Sequence, residues 1–124
     1  MYVYLITTKN DRLTYVGATK NVERRLSQHN NEKSGGAKRT THFSKQGDIW
    51  ELICYVKGFP TWNAALQFEW KWKYISRSIS NEFTSVEKRM IALEELLSSN
   101  KSTAKSEPFA EYLLPPTIEW KYEL

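Results

Sequence analysis

Cysteine is nearly missing from this sequence: Cys54 stands alone among 124 residues. A single thiol excludes an internal disulfide and points to a reducing interior, cytoplasm or nucleus. With only His29 and His42 beside it, the chain cannot assemble a Cys/His structural zinc cluster. Cys54 is expected to fill a strand as a small apolar residue. No apolar run approaches the roughly 20 residues that span a bilayer, and no signal-peptide pattern opens the chain. A soluble protein that stays in the compartment where it is made is therefore expected, with no membrane partner. Aromatics, by contrast, are plentiful: seventeen of them, with 40% apolar residues, argue against disorder. At this length one domain covering residues 1–124 is expected.

Acidic residues are scarce at the front of the chain and dominate its back. The net charge is +6 over residues 1–45, +1 over 46–81 and −3 over 82–124. Such asymmetry suggests a face that attracts a polyanion.

"YVYLIT" and "LTYVGAT" are β-rich runs flanking the turn-like "KNDR" and predict a hairpin. Thr19 or Asn21 can cap a helix running to about Asn30. The polar, glycine-containing stretch "NNEKSGGAKRTTHFSKQGD" predicts a loop. "IWELICYV" is the next strand, ended by the turn "KGFP". Thr61 then caps a long helix, "WNAALQFEWKWKYIS". A further helix is predicted over about Ser85 to Leu97, with Val86, Met90, Leu93 and Leu97 as its core stripe. The chain closes on "LPPTIEWKYEL", a last strand after a double proline. Strands first, helices next and one late strand indicate an α+β class, with a small antiparallel sheet of about three strands flanked by helices.

Two helices place ionisable groups on apolar faces. At 100° per residue, and with Val22 at zero, Leu26 falls at about +40°, His29 at about −20° and Arg25 at about −60°. These positions form one stripe, so Arg25 and His29 are expected half-buried against the sheet. A guanidinium there needs a partner. On the later helix Glu69 falls among Trp62, Ala65, Phe68 and Trp72, where a carboxylate needs a cation, a metal or a proton. A buried Arg25–Glu69 ion pair tying two helices together would satisfy both. Tyr4 and Tyr15 lie on adjacent strands, either as packed aromatics or as phenols beside these charges. Gly17 closes the second strand, where a missing side chain lets another backbone or a phosphate approach.

These residues carry a resemblance. "YVY" and "YVG", eleven residues apart tyrosine to tyrosine, resemble the two signature tripeptides of the GIY-YIG nuclease superfamily. The arginine ten residues on, the histidine four further and a glutamate on a later helix match its pattern at Arg25, His29 and Glu69. "ERRLSQHN", "GGAKRT", "WELICYVKGFPTWNAALQFEW" and "LPPTIEW" further resemble the nuclease domain of eukaryotic structure-selective endonucleases that cut branched DNA. The likeness runs from Tyr2 to about Trp120. Tyr2 replaces the first-tripeptide glycine, and Lys38 stands where that subfamily usually has an aromatic. The eukaryotic enzymes continue into a zinc-binding RING-type domain that docks on a scaffold protein. This chain lacks its cysteines, so neither zinc nor scaffold dependence carries over, and a self-contained viral or phage form fits the sequence.

The resemblance implies a metal-dependent, structure-selective DNA endonuclease acting on flaps, forks or four-way junctions in repair or recombination. Glu69 would hold one divalent ion, Mg²⁺ or Mn²⁺, and Arg25 would fork onto the scissile phosphate. Tyr4 would accept the attacking water's proton, and Tyr15 would order water or phosphate. His29 would either relay Tyr4's proton or hold the phenol in place. Lys20, Arg24, Lys38, Arg39 and Lys45 would contact DNA phosphates, with Gly35 and Gly36 letting the loop follow a backbone. The alternatives are a homing- or restriction-type nuclease and a domain that holds branched DNA without cutting it.

Overall fold

The computed structural model describes residues 1–10, 13–30, 40 and 49–121. Strands β1 (Tyr2–Thr8), β2 (Thr14–Thr19), β3 (Trp50–Lys57) and β4 (Thr117–Trp120) form one antiparallel sheet in the order β2-β1-β3-β4. The closing strand joins the three earlier ones through β3, making four. Among the described residues three α-helices of two turns or more complete the α+β architecture: α1 (Val22–His29), α2 (Trp62–Ser78) and α3 (Ser85–Leu97). The basic loop expected over residues 31–48 lies outside the described residues except for Thr40. No helix among the described residues is long and apolar enough to cross a membrane.

Each helix starts where a side chain can accept an otherwise unpaired backbone N–H. Asn21, rather than Thr19, caps α1 by accepting from Arg24 N at 3.0 Å. Thr61 accepts from Ala64 N at 3.0 Å. Thr84 and Glu87 close a reciprocal capping box at the start of α3. Gly58 turns the chain out of β3 with φ of 105°, a region that disfavours any side chain.

β1 is central and buried on both faces. Val3 and Leu5 join Val16, Cys54 and Val56 beneath Phe68 and Trp72 of α2 and Leu93 and Leu96 of α3. Tyr4 and Ile6 point the other way, into a smaller cluster with Trp50, Tyr15 and Leu26 of α1. Cys54 is thus the small core residue expected, and burial pushes its thiol up to about 12. The stripe of α3 centres on Ala92, Leu93 and Leu96, with Met90 and Leu97 packed at its margins.

A β-bulge decides what lies under α1. Leu5 pairs with Cys54 but Ile6 pairs with Leu52, leaving Ile53 as the extra residue. Because strand side chains alternate, one extra residue flips the face. Cys54 and Val56 therefore face α2, while Trp50 and Leu52 face α1. Asn30, the C-cap of α1, grips both backbone polar groups of Trp50: it donates to Trp50 O at 2.9 Å and accepts from Trp50 N at 2.6 Å.

Candidate active site

Tyr4 and Gly17 face each other across β1 and β2. A Cβ at Gly17 would lie 2.6 Å from Tyr4 Cζ, closer still to its hydroxyl, and 3.0 Å from a ring carbon of Tyr15. The space expected for a passing backbone or phosphate is therefore filled by the Tyr4 phenol. That corrects the reading of Gly17: its missing side chain lets Tyr4 lie across β2 toward α1.

There Tyr4 Oη sits 2.6 Å from His29 Nε2, and His29 Nδ1 sits 2.5 Å from Thr40 Oγ1. Tyr4, His29 and Thr40 are all essentially sealed from solvent. Trp50 holds Thr40 in turn, its indole N–H donating to Thr40 O at 3.0 Å. Burial, helped by the nearby Arg25 charge, pushes His29 down to about 4, so it is neutral at physiological pH. Both its partners are hydroxyls, so either neutral tautomer is satisfied: Tyr4 donates to Nε2 while Nδ1–H donates to Thr40, or both bonds reverse. Burial also raises Tyr4 above the ordinary phenol value, against the pull of Arg25 toward the anion. Tyr4 is not a standing phenolate.

Arg25 lies half-buried on the same face of α1, one turn before His29, and donates from Nη1 to Gln28 Oε1 at 3.0 Å. It lies close enough to favour the Tyr4 anion, while Tyr15 and Glu69 lie close enough to oppose it. The Tyr15 ring is 4.8 Å from His29 and 6.4 Å from Tyr4. Glu69 stands on α2, which packs against β2. It pairs with Lys73 at 3.1 Å, and that ammonium lies 5.5 Å from the Tyr15 ring. Tyr4, Tyr15, Arg25, His29 and Glu69 are thus brought together from four elements. Trp62, expected beside Glu69 in the core, is 37% exposed at the first turn of α2, and Glu69 itself is partly exposed.

An open cavity of about 530 Å³ adjoins this cluster, lined by Thr19, Lys20, Arg24, Arg25, Gln28 and Trp62. Lys20 lies 5.8 Å from the Trp62 ring. The two described members of the expected phosphate-contacting set, Lys20 and Arg24, therefore share a wall with Arg25. Gly35, Gly36, Lys38, Arg39 and Lys45 lie outside the described residues. Thr40, Gln28 and Lys73 were not foreseen. Only Lys73 had a signal, the Glu-to-Lys spacing of four on one helix.

Residues 1–84 match the family profile of the GIY-YIG catalytic domain, and the chain belongs to that family. Among curated proteins it is similar to the structure-specific endonuclease subunit slx1 of Pyrenophora tritici-repentis, 51% identical over 56% of this chain and 19% of that protein. It is similar also to the proteins of the same name from Schizosaccharomyces japonicus, 45% identical over 57% of this chain and 25% of that protein, and Schizosaccharomyces pombe, 42% identical over 57% and 25%. The chain thus matches about a fifth to a quarter of the length of these relatives.

Family membership implies a divalent metal, and the donors present fit one bound sparingly. Among the described residues no three His, Cys, Asp or Glu side chains come together. Both His29 nitrogens are engaged by hydroxyls, leaving Glu69, paired with Lys73, as the carboxylate of the cluster. One carboxylate completed by waters and substrate phosphate is a usual arrangement for Mg²⁺.

Proposed function

We propose that this chain, as one domain over residues 1–124, is a structure-selective endonuclease that hydrolyses phosphodiester bonds in flaps, forks or four-way junctions of DNA, in repair or recombination. The observation that carries the reading is the Tyr4–His29 contact at 2.6 Å, set beside the half-buried Arg25 and Glu69. A buried phenol against a neutral imidazole, with a cation alongside, moves a proton next to an anion.

Arg25 forks onto the scissile phosphate, bidentate geometry favouring a guanidinium. Glu69 would hold Mg²⁺ or Mn²⁺, which would supply positive charge against the charge growing on the phosphate. A water oxygen attacks phosphorus while its proton passes to Tyr4 Oη, which DNA binding has first to uncover because the phenol is sealed in the free chain. The Tyr4 proton passes at the same time to His29 Nε2. The bond from phosphorus to the leaving sugar oxygen breaks, and solvent protonates that oxygen. Because burial raises Tyr4 and lowers His29, the separated phenolate–imidazolium pair is unfavourable beforehand. The transfer therefore accompanies P–O bond formation. Tyr15 orders the water against the Lys73-flanked wall, and Lys20 and Arg24 hold neighbouring phosphates. Such contacts position the nucleic acid without reading its sequence, which suits selection by shape.

The test is incubation of the pure chain with labelled flap, fork, four-way junction and linear duplex, with and without Mg²⁺ or Mn²⁺. Metal-dependent nicking confined to the branched substrates is expected. Tight binding of branches with no nicking would make the domain a non-catalytic holder, and sequence-dependent cutting of linear duplex would make it a homing- or restriction-type enzyme.

A further inference from the structure

From the cleft outward, α2 exposes apolar residues once per turn: Trp62, Leu66, Trp70 and Tyr74. A spacing of four drifts slowly round a helix, so the stripe winds from the cavity beside Arg25 onto the open face. It covers about 18 Å along the axis. Trp70 and Tyr74 are each half-exposed and stacked on one another, centroids 5.2 Å apart and planes 19° from parallel. Lys71 lies 5.1 Å from the Tyr74 ring and Arg77 5.9 Å from it. The only carboxylate in α2 is Glu69, at the edge facing Tyr15.

Beyond Tyr74 opens a second groove, of about 390 Å³, lined by Lys71, Tyr74, Ser78, Lys101 and Ser102 together with one carboxylate, Glu95. Ser102 Oγ is the one buried side-chain polar atom among the described residues with no hydrogen-bond partner, and Ser102 is 1% exposed. A buried hydroxyl left unpaired costs free energy that a ligand oxygen would recover.

We propose that this face of α2 is a track for a single-stranded arm of the nucleic acid. Bases stack on Trp70 and Tyr74, and a phosphate enters the groove between Lys71, Lys101 and Ser102. Stacked rings beside lysines are what a single strand needs, since every base offers a π face and every link a charge. A protein ligand for the same stripe would leave Lys71 and Arg77 unanswered. At roughly 3.4 Å per stacked nucleotide, 18 Å holds about five. The track begins at Trp62, in the cavity that Arg25 lines, so the arm leads away from the cleft. The inference rests on the endonuclease reading, but its test does not require cutting.

The probe is a fluorescein-labelled oligothymidylate about ten nucleotides long, titrated by anisotropy into the whole chain with chelator present. The Trp70→Ala/Tyr74→Ala variant is expected to bind it at least about tenfold more weakly, with duplex binding unchanged, and Tyr74→Phe is expected to bind normally. Lys71→Ala with Lys101→Ala should flatten the dependence of log affinity on log salt by roughly 1.4, about 0.7 for each lost contact. Circular dichroism confirms folding, which substitutions at these exposed positions should preserve. Undiminished oligothymidylate binding by the double aromatic variant would overturn the proposal. So would loss in that variant of a concentration-dependent dimer with DNA affinity intact, which would give the stripe to a second copy. Oligothymidylate binding that depends on Trp70 and Tyr74 in a chain that cuts nothing would leave the track standing and refute the endonuclease reading alone.

Discussion

Gly17→Ala adds one methyl group where the Tyr4 phenol lies. The backbone at Gly17 is not left-handed, so alanine meets no conformational strain of its own. The collision is with the ring: 2.6 Å from the new Cβ to Tyr4 Cζ, where carbon atoms normally pack at about 3.5–4.0 Å. Tyr4 must retreat by about 1 Å, yet it is 1% exposed and held between β2 and His29. Overpacking of this kind costs about 1–3 kcal/mol, and a 1 Å misplacement of a reacting group can cost about 10² in rate. Urea denaturation should therefore show a destabilisation of that size, and single-turnover cutting of a flap should slow by about 10². The cause is checked by a double-mutant cycle with Tyr4→Ala. Removing the ring removes the severe collision and leaves only the 3.0 Å approach to Tyr15, so Gly17→Ala should cost far less in that background, with a coupling of about 1–3 kcal/mol. A Gly17→Ala protein as stable and as active as the parent would refute the claim that the glycine exists for the phenol.

Arg25→Ala should lower cutting by about 10²–10³ while the chain remains folded, checked by single-turnover kinetics and circular dichroism. Glu69→Gln should be equally inactive but change stability by less than about 0.5 kcal/mol, because its partly exposed bond to Lys73 is a pair one turn apart on a single helix. A loss of several kcal/mol would show that the carboxylate is structural. Stability should also fall in mild acid because of His29. Its value is about 4 when folded and about 6.5 when unfolded, so between these pH values the unfolded chain binds the extra proton. Roughly 3 kcal/mol present above pH 6.5 is lost as pH falls toward 4. His29→Gln should remove that slope from urea midpoints measured against pH, and an unchanged slope would exclude His29 as its source.

Much of this was legible in the sequence, for reasons that differ from residue to residue. Val22, Arg25, Leu26 and His29 share a stripe because a helix repeats every 3.6 residues, and Asn21 sets where that repeat begins. Glu69 was visible as a charge on an apolar face. The partners of these groups were not. Thr40 sits in a segment with no periodicity, so nothing before the fold ties it to His29. The bulge at Ile53, which turns Trp50 toward Thr40 and Asn30, is a property of strand pairing and leaves no pattern along one strand. Gly17 was recognised as a close approach but assigned the wrong neighbour, because register across two strands decides which side chain fills the gap. Trp62 fell on the apolar arc by angle, yet the first turn of α2 leaves it at the cavity rim.

The most direct measurement is the single-turnover cutting rate of Tyr4→Phe on a flap with Mg²⁺, beside the parent. Phenylalanine keeps the ring that packs in the cluster and deletes only the oxygen bonded to His29 Nε2. A fall of about 10²–10⁴, with folding and DNA binding intact, is the predicted result. A rate within about threefold of the parent's, against the 10²–10⁴ at stake, would contradict a proton path through Tyr4.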